Sequence, residues 1–205
     1  MRPFSAKEKA FFSRFKTPWD IQKYLDSIPY NSKIECKSPV NVLKHGSAHC
    51  FEGALFAACA MTFLGAKPLV VDLGAYNDDD HVIAIWRKGP YFGAMGKSNF
   101  TTLRYREAVY RSLRELALSY FDFYFNTNGD KSLRRYSQPL DLSKFAGDAW
   151  MTTDDDLDHL AQGFLPLKYG ELCTPEMAKD LIRVPQYMLD AGMLGADPKG
   201  LFAPK

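Results

Sequence analysis

The sequence predicts an α+β fold in which a buried, cysteine-bearing helix packs on a small antiparallel sheet, with additional helices N- and C-terminal to that core. Two observations carry this prediction. The stretch from Cys50 to Gly65 is apolar all round, so as a helix it is buried rather than laid on a surface. Three strand-like runs follow at close spacing, Pro68–Leu73, His81–Trp86 and Tyr91–Gly96, joined by turn-forming residues in the pattern of a meander.

In chain order, the first 16 residues interrupt their aromatic residues with Lys and Arg. They predict a short amphipathic helix and lack the continuous apolar core of a secretory signal. Thr17-Pro18-Trp19-Asp20 is a helix start, with a capping threonine, proline at the first helical position and an acidic first turn. That helix runs to about Ser27 and stops before Pro29. Residues 30–46 show no period and are expected as a loop.

Gly65 stands where a helix C-terminus wants glycine. The acidic turn from Tyr76 to Asp80 then reverses the chain between the first two strands, and Arg87–Pro90 reverses it again. A further helix is expected over 105–125, a polar, turn-rich stretch over 126–143, and short helices beginning near Asp154 and at Thr174-Pro175-Glu176. The chain is expected as a single domain, 1–205, with a core of about 30–125, a helical N-terminal segment 1–29 and a C-terminal extension 126–205.

Composition narrows the function classes. With 26 basic and 24 acidic residues the net charge is only +2, so no global field invites nucleic acid. No run approaches the roughly 20 apolar residues of a membrane span, and a cytoplasmic protein with no membrane partner is the expectation. None of the four cysteines forms a C-x-x-C pair, which argues against a zinc ribbon or a redox motif. Asp78, Asp79, Asp80 and His81 are consecutive donors on a turn and do not converge on one ion, so neither metal nor cofactor is expected.

Thiol-dependent acyl chemistry needs a sulfur with thiolate character, a histidine within reach and a third polar group that fixes the imidazole. Cys50, at the positive end of a buried helix, suits the first role. His81, at the start of the middle strand, suits the second. If the hairpin turns at Lys88-Gly89, Gly96 falls opposite His81, and Lys97, Ser98 and Asn99 leave the third strand beside it. Asn99 is the expected third member; strict alternation would place Ser98 there instead, and Asp72 on the preceding strand is a further candidate. The Cys50 backbone N–H is the natural oxyanion donor, with Asn41, Lys44, His45 and His49 available for a second. Glu52, in the first helical turn, is expected to complement the helix dipole.

These residues together carry a resemblance. Gly46-Ser-Ala-His-Cys50-Phe-Glu-Gly-Ala, then Asp80-His81-Val-Ile-Ala-Ile-Trp86, then Gly96-Lys-Ser-Asn99 resemble the transglutaminase-like branch of the papain-like cysteine enzymes, over roughly residues 40–99, and the segment beyond Arg104 resembles that of its bacterial groups of unassigned function. The resemblance implies thiol chemistry on a peptide or protein amide through a thioester. Members of the branch usually show aspartate as the third residue, where this chain offers Ser98 and Asn99. The branch also includes members without catalysis, so the alternative is an inactive transglutaminase-like domain acting as a peptide-binding or scaffold module.

Overall fold

The computed structural model describes residues 2–145 and 147–205. Helices α1 (Ala6–Ser13) and α2 (Pro18–Ser27) both open with reciprocal caps, Ser5 with Glu8 and Thr17 with Asp20, each satisfying otherwise unpartnered N–H groups at the helix start. Within the expected loop lies a third helix, α3 (Pro39–His45), capped by Ser38 and closed by Gly46 at φ 64. Its Ser-Pro start and glycine stop are helix signals, but seven residues are too few to show a period. The cysteine-bearing helix α4 (Cys50–Phe63) begins where expected.

The strands are β1 (Leu69–Ala75), β2 (His81–Lys88), β3 (Tyr91–Met95) and β4 (Arg106–Tyr110). After helix α5 (Leu113–Leu118) come β5 (Leu133–Ser137), β6 (Leu140–Asp141) and β7 (Tyr169–Glu171). They form one antiparallel sheet in the order β4-β3-β2-β1-β5-β7, with β6 also paired to β1. The sheet thus draws four strands from within residues 30–125 and three from beyond residue 125.

Two further expectations change. Residues 105–125 are not one helix: Arg106–Tyr110 adds an edge strand, Ser112 caps the short α5, and Phe121–Phe123 is a single 3₁₀ turn. The turn-rich stretch 126–143 contains β5. In both places the apolar residues face the sheet from a broken chain path, which a helical period cannot distinguish from one long helix.

Both faces of the sheet are covered, which is why β1 and β2 read as continuous apolar runs. Val70, Val82 and Ala84 pack in the same cluster as α4 and the N-terminal residues Phe12, Ile21 and Leu25. Val71, Leu73, Ile83 and Ile85 pack on the opposite face with Leu116, Tyr120 and Tyr124. Leu55 and Phe56 of α4 are fully buried, each contributing about 2–3 kcal/mol by removal from water. Among the described residues no helix is long and apolar enough to cross a membrane.

Three contacts fix α4 and α2 against the chain leaving β3. A Cβ on Gly53 would lie 2.3 Å from the Lys97 Cβ, so only glycine permits this approach of the helix. The Lys97 ammonium, buried, donates to the carbonyls of Leu25, at 2.9 Å, and Ile28, satisfying acceptors at the C-terminal end of α2. Gln22 brackets Gly96, donating to its carbonyl at 2.9 Å and accepting its N–H at 3.1 Å.

Candidate active site

Cys50 is the first residue of α4 and His81 the first of β2. Both line one pocket, together with Tyr30, Asp80, Ser98 and Leu103. The hairpin turns one residue later than the sequence suggested: Lys88 pairs with Tyr91 and Ala84 with Met95, so Gly89-Pro90 forms the turn and the same register carries Gly96 opposite Ile83. Gly96 nevertheless makes room for the imidazole, since a Cβ there would stand 3.2 Å from His81 Nε2.

The buried imidazole has one defined partner. Its Nε2 lies 2.8 Å from the Leu103 carbonyl oxygen. A carbonyl only accepts, so Nε2 carries the proton and Nδ1 keeps its lone pair. Burial lowers the His81 pKa to about 4; the Leu103 bond opposes that shift, and the Arg106 charge adds to it. The ring is therefore neutral at physiological pH.

The sulfur departs from expectation. Cys50 is half-buried, its Sγ 3.9 Å from the Asp80 carbonyl. Burial pushes the thiol up to about 11, and the carboxylates of Asp79 and Asp72 push the same way; the N–H groups of Val82 and Phe51 oppose them without prevailing. Desolvation outweighs the helix terminus, and the resting group is a thiol. A pKa raised this far keeps the protonated form dominant below about pH 11. Iodoacetamide alkylation of Cys50, followed by peptide mass spectrometry, should accelerate about tenfold per pH unit from neutrality to about pH 10; a plateau near pH 7 would mean a thiolate-prone sulfur instead.

The expected third members are engaged elsewhere. Asn99 lines the pocket but binds residue 197: its Nδ2 donates to the Asp197 carbonyl and its Oδ1 accepts the Asp197 N–H, both at 2.8 Å. Ser98 Oγ accepts from the Phe100 N–H at 3.0 Å, closing a local turn. Asp72 accepts from the Tyr169 hydroxyl at 2.8 Å and pairs with Val82, so alternation points it to the opposite face from Leu73 and His81. The imidazole is held by a backbone carbonyl, for which side-chain spacing offers no signal.

Of the oxyanion candidates, Asn41 donates to the Thr153 carbonyl and the Asp154 carboxylate, and Lys44 and His45 are exposed on α3. His49 is the N-cap of α4. None of these four lines the pocket shared by Cys50 and His81. Tyr30, assigned from sequence only to a loop, stands there instead, its phenol pKa raised by burial first and by nearby negative groups. Its place is set by the bridge between Tyr30 and Ala48, where the Asn31 N–H donates to the Ala48 carbonyl at 3.1 Å.

Glu52 does more than complement a dipole. Fully buried, its carboxylate accepts from the Lys37 ammonium and backbone N–H, both at 2.8 Å, from the Asn31 amide at 3.0 Å and from the His49 N–H at 2.8 Å. It ties the loop over residues 31–37 to the helix turn that carries the cysteine.

No protein-family model matches the chain, and no curated protein matches its sequence.

Proposed function

We propose that this chain is a cysteine-dependent acyl-transfer or amide-hydrolysing enzyme of transglutaminase-like build, with Cys50 as nucleophile and His81 as general base and acid. The observation that supports it best is the shared pocket of a helix-terminal thiol and a neutral imidazole whose Nε2 proton is held by the Leu103 carbonyl. Such a histidine has one free lone pair, on Nδ1, to take the thiol proton as sulfur attacks an amide carbonyl. The S–C bond forms as the carbonyl π bond opens, and the Cys50 N–H stabilises the oxyanion. Tyr30, which lines the same pocket, is placed to add a second donor from its hydroxyl. Collapse breaks the C–N bond, the imidazolium returns its proton to the leaving amine, and water or a second amine resolves the thioester.

A second reading, a non-catalytic peptide-binding module on the same frame, draws support from the raised thiol pKa. Exposure to p-nitrophenyl acetate separates the two. The catalytic reading expects an acetyl group on Cys50 in the intact-protein and peptide mass spectra, removed by hydroxylamine and absent from Cys50→Ala. If Cys50 acylates no faster than a free cysteine peptide, at any pH from about 6 to about 9, the module reading stands.

A further inference from the structure

Residues 197–205 lie against the pocket without belonging to any strand or α-helix; their one regular feature is a 3₁₀ turn over Pro198–Gly200. Two asparagines hold this segment by its backbone. Asn99 takes both the N–H and the carbonyl of Asp197. Asn77 does the same to Lys205: its Oδ1 accepts the N–H at 2.8 Å and its Nδ2 donates to the main-chain oxygen at 3.1 Å. Between them, Thr127 Oγ donates to the Phe202 carbonyl at 3.2 Å. A primary amide that donates and accepts on one residue mimics a neighbouring strand, and it reads main chain without regard to side chain.

The path between these clamps crosses the candidate site. Gly200 packs so closely on Tyr30 that a Cβ would fall 2.8 Å from its ring, and 3.2 Å from Asn99 Nδ2. Gly200 and Phe202 line the pocket with Cys50 and His81, and 201–203 line its outer mouth with Cys50, Asp79 and Asp80. With the segment in place the inner cavity, which holds His81, measures about 50 Å³, room for one or two waters and no acyl chain, while the mouth that Cys50 also lines measures about 510 Å³. Lys199, Asp79 and Asp80 all line the mouth. Pro198 and Pro204 limit the conformations the segment loses on docking.

We propose that the Cys50 cleft is a groove for a polypeptide segment gripped by its backbone at Asn99 and Asn77, and that residues 197–205 are its resident occupant, in the direction Asn99 to Asn77. As a gate on chemistry this rests on the acyl-transfer reading of Cys50; as a binding groove it does not. The segment contributes to the burial that raises the thiol pKa, so its departure rehydrates the sulfur and opens the mouth.

The test compares the full chain with a variant lacking 197–205, its fold checked by circular dichroism and thermal melting. The occupied-groove proposal expects iodoacetamide to label Cys50 about tenfold faster or more in the shortened protein at neutral pH. A fluorescein-labelled peptide of sequence ADPKGLFAPK, added in trans, should bind the shortened protein by anisotropy and slow the labelling again, while the full chain binds it at least tenfold more weakly. Asn77→Gly in the full chain guards against misfolding of the deletion. Residue 77 sits at φ 53, which glycine adopts freely, so this change removes the clamp without straining the turn, and labelling should again accelerate. Unchanged labelling in Asn77→Gly, or a folded deletion variant that neither labels faster nor binds the peptide, overturns the proposal. Peptide binding without any acylation of Cys50 keeps the groove and removes the enzyme.

Discussion

Glu52→Leu is expected to cost about 3–5 kcal/mol of folding stability, the usual penalty for removing one partner of a buried ion pair. The substitution suits the apolar pattern of α4, and sequence periodicity alone would favour it. It fails because four donors converge on that carboxylate: the Lys37 ammonium and N–H, the Asn31 amide and the His49 N–H. Leucine leaves them facing a hydrocarbon, and water can reach them only if the 31–37 loop lifts. For a chain of this size the loss corresponds to a fall in melting temperature of about 10 °C, measurable by circular dichroism alongside urea titration. Glu52→Gln keeps acceptor capacity and should lose less. A Glu52→Leu protein within about 1 kcal/mol of the parent would mean that the loop is not anchored through this carboxylate.

His81→Gln is expected to slow acylation of Cys50 by about a thousandfold, within the range of a positioned general base, with little change in melting temperature. The glutamine amide has a donor for the Leu103 carbonyl, so the hydrogen bond at 2.8 Å has a replacement while the basic nitrogen is lost. The readout is the burst of p-nitrophenol and the acetyl adduct on Cys50. The parent should keep its rate as pH falls below the usual histidine range. His81 is held neutral down to about pH 4: a depressed folded-state pKa keeps the base form present above that value and loses it only below. A rate within tenfold of the parent would dismiss His81 as the base. The double variant with Cys50→Ala should be no worse than Cys50→Ala alone, as expected of residues acting as one unit.

The core of this arrangement was legible in the sequence because it depends on local signals. The apolar sweep of α4, the Thr17-Pro18 cap and the β1–β2–β3 meander each follow from neighbours in the chain, and they place Cys50 at a helix start and His81 at a strand start. What stayed hidden depends on distance. The Leu103 carbonyl has no side-chain signature. Tyr30 enters the Cys50 pocket beside a parallel bridge that pins residues 30 and 48. Asn99 had the right type for the third role and lies in the right pocket, yet its amide is used on a segment 98 residues away, which no period reports. The thiol illustrates a competition of magnitudes: the helix terminus favours thiolate as its position implies, but desolvation, visible only once the chain is folded around the sulfur, is the larger effect.

The contacts of Lys97 and Gln22 bear on how the molecule opens. Peeling α2 from the sheet would strand the ammonium in a buried setting, its pKa already lowered to about 8 by burial and by Arg104, and would free both backbone groups of Gly96 from Gln22. Each loss penalises the part left behind as much as the part that departs. Fraying of the N-terminal helices is therefore expected to loosen the β3 exit, where Gly96 packs against the imidazole. Amide exchange at α2 and at the β3 exit should then respond together to denaturant, as one cooperative unit, although 74 residues separate Gln22 from Gly96.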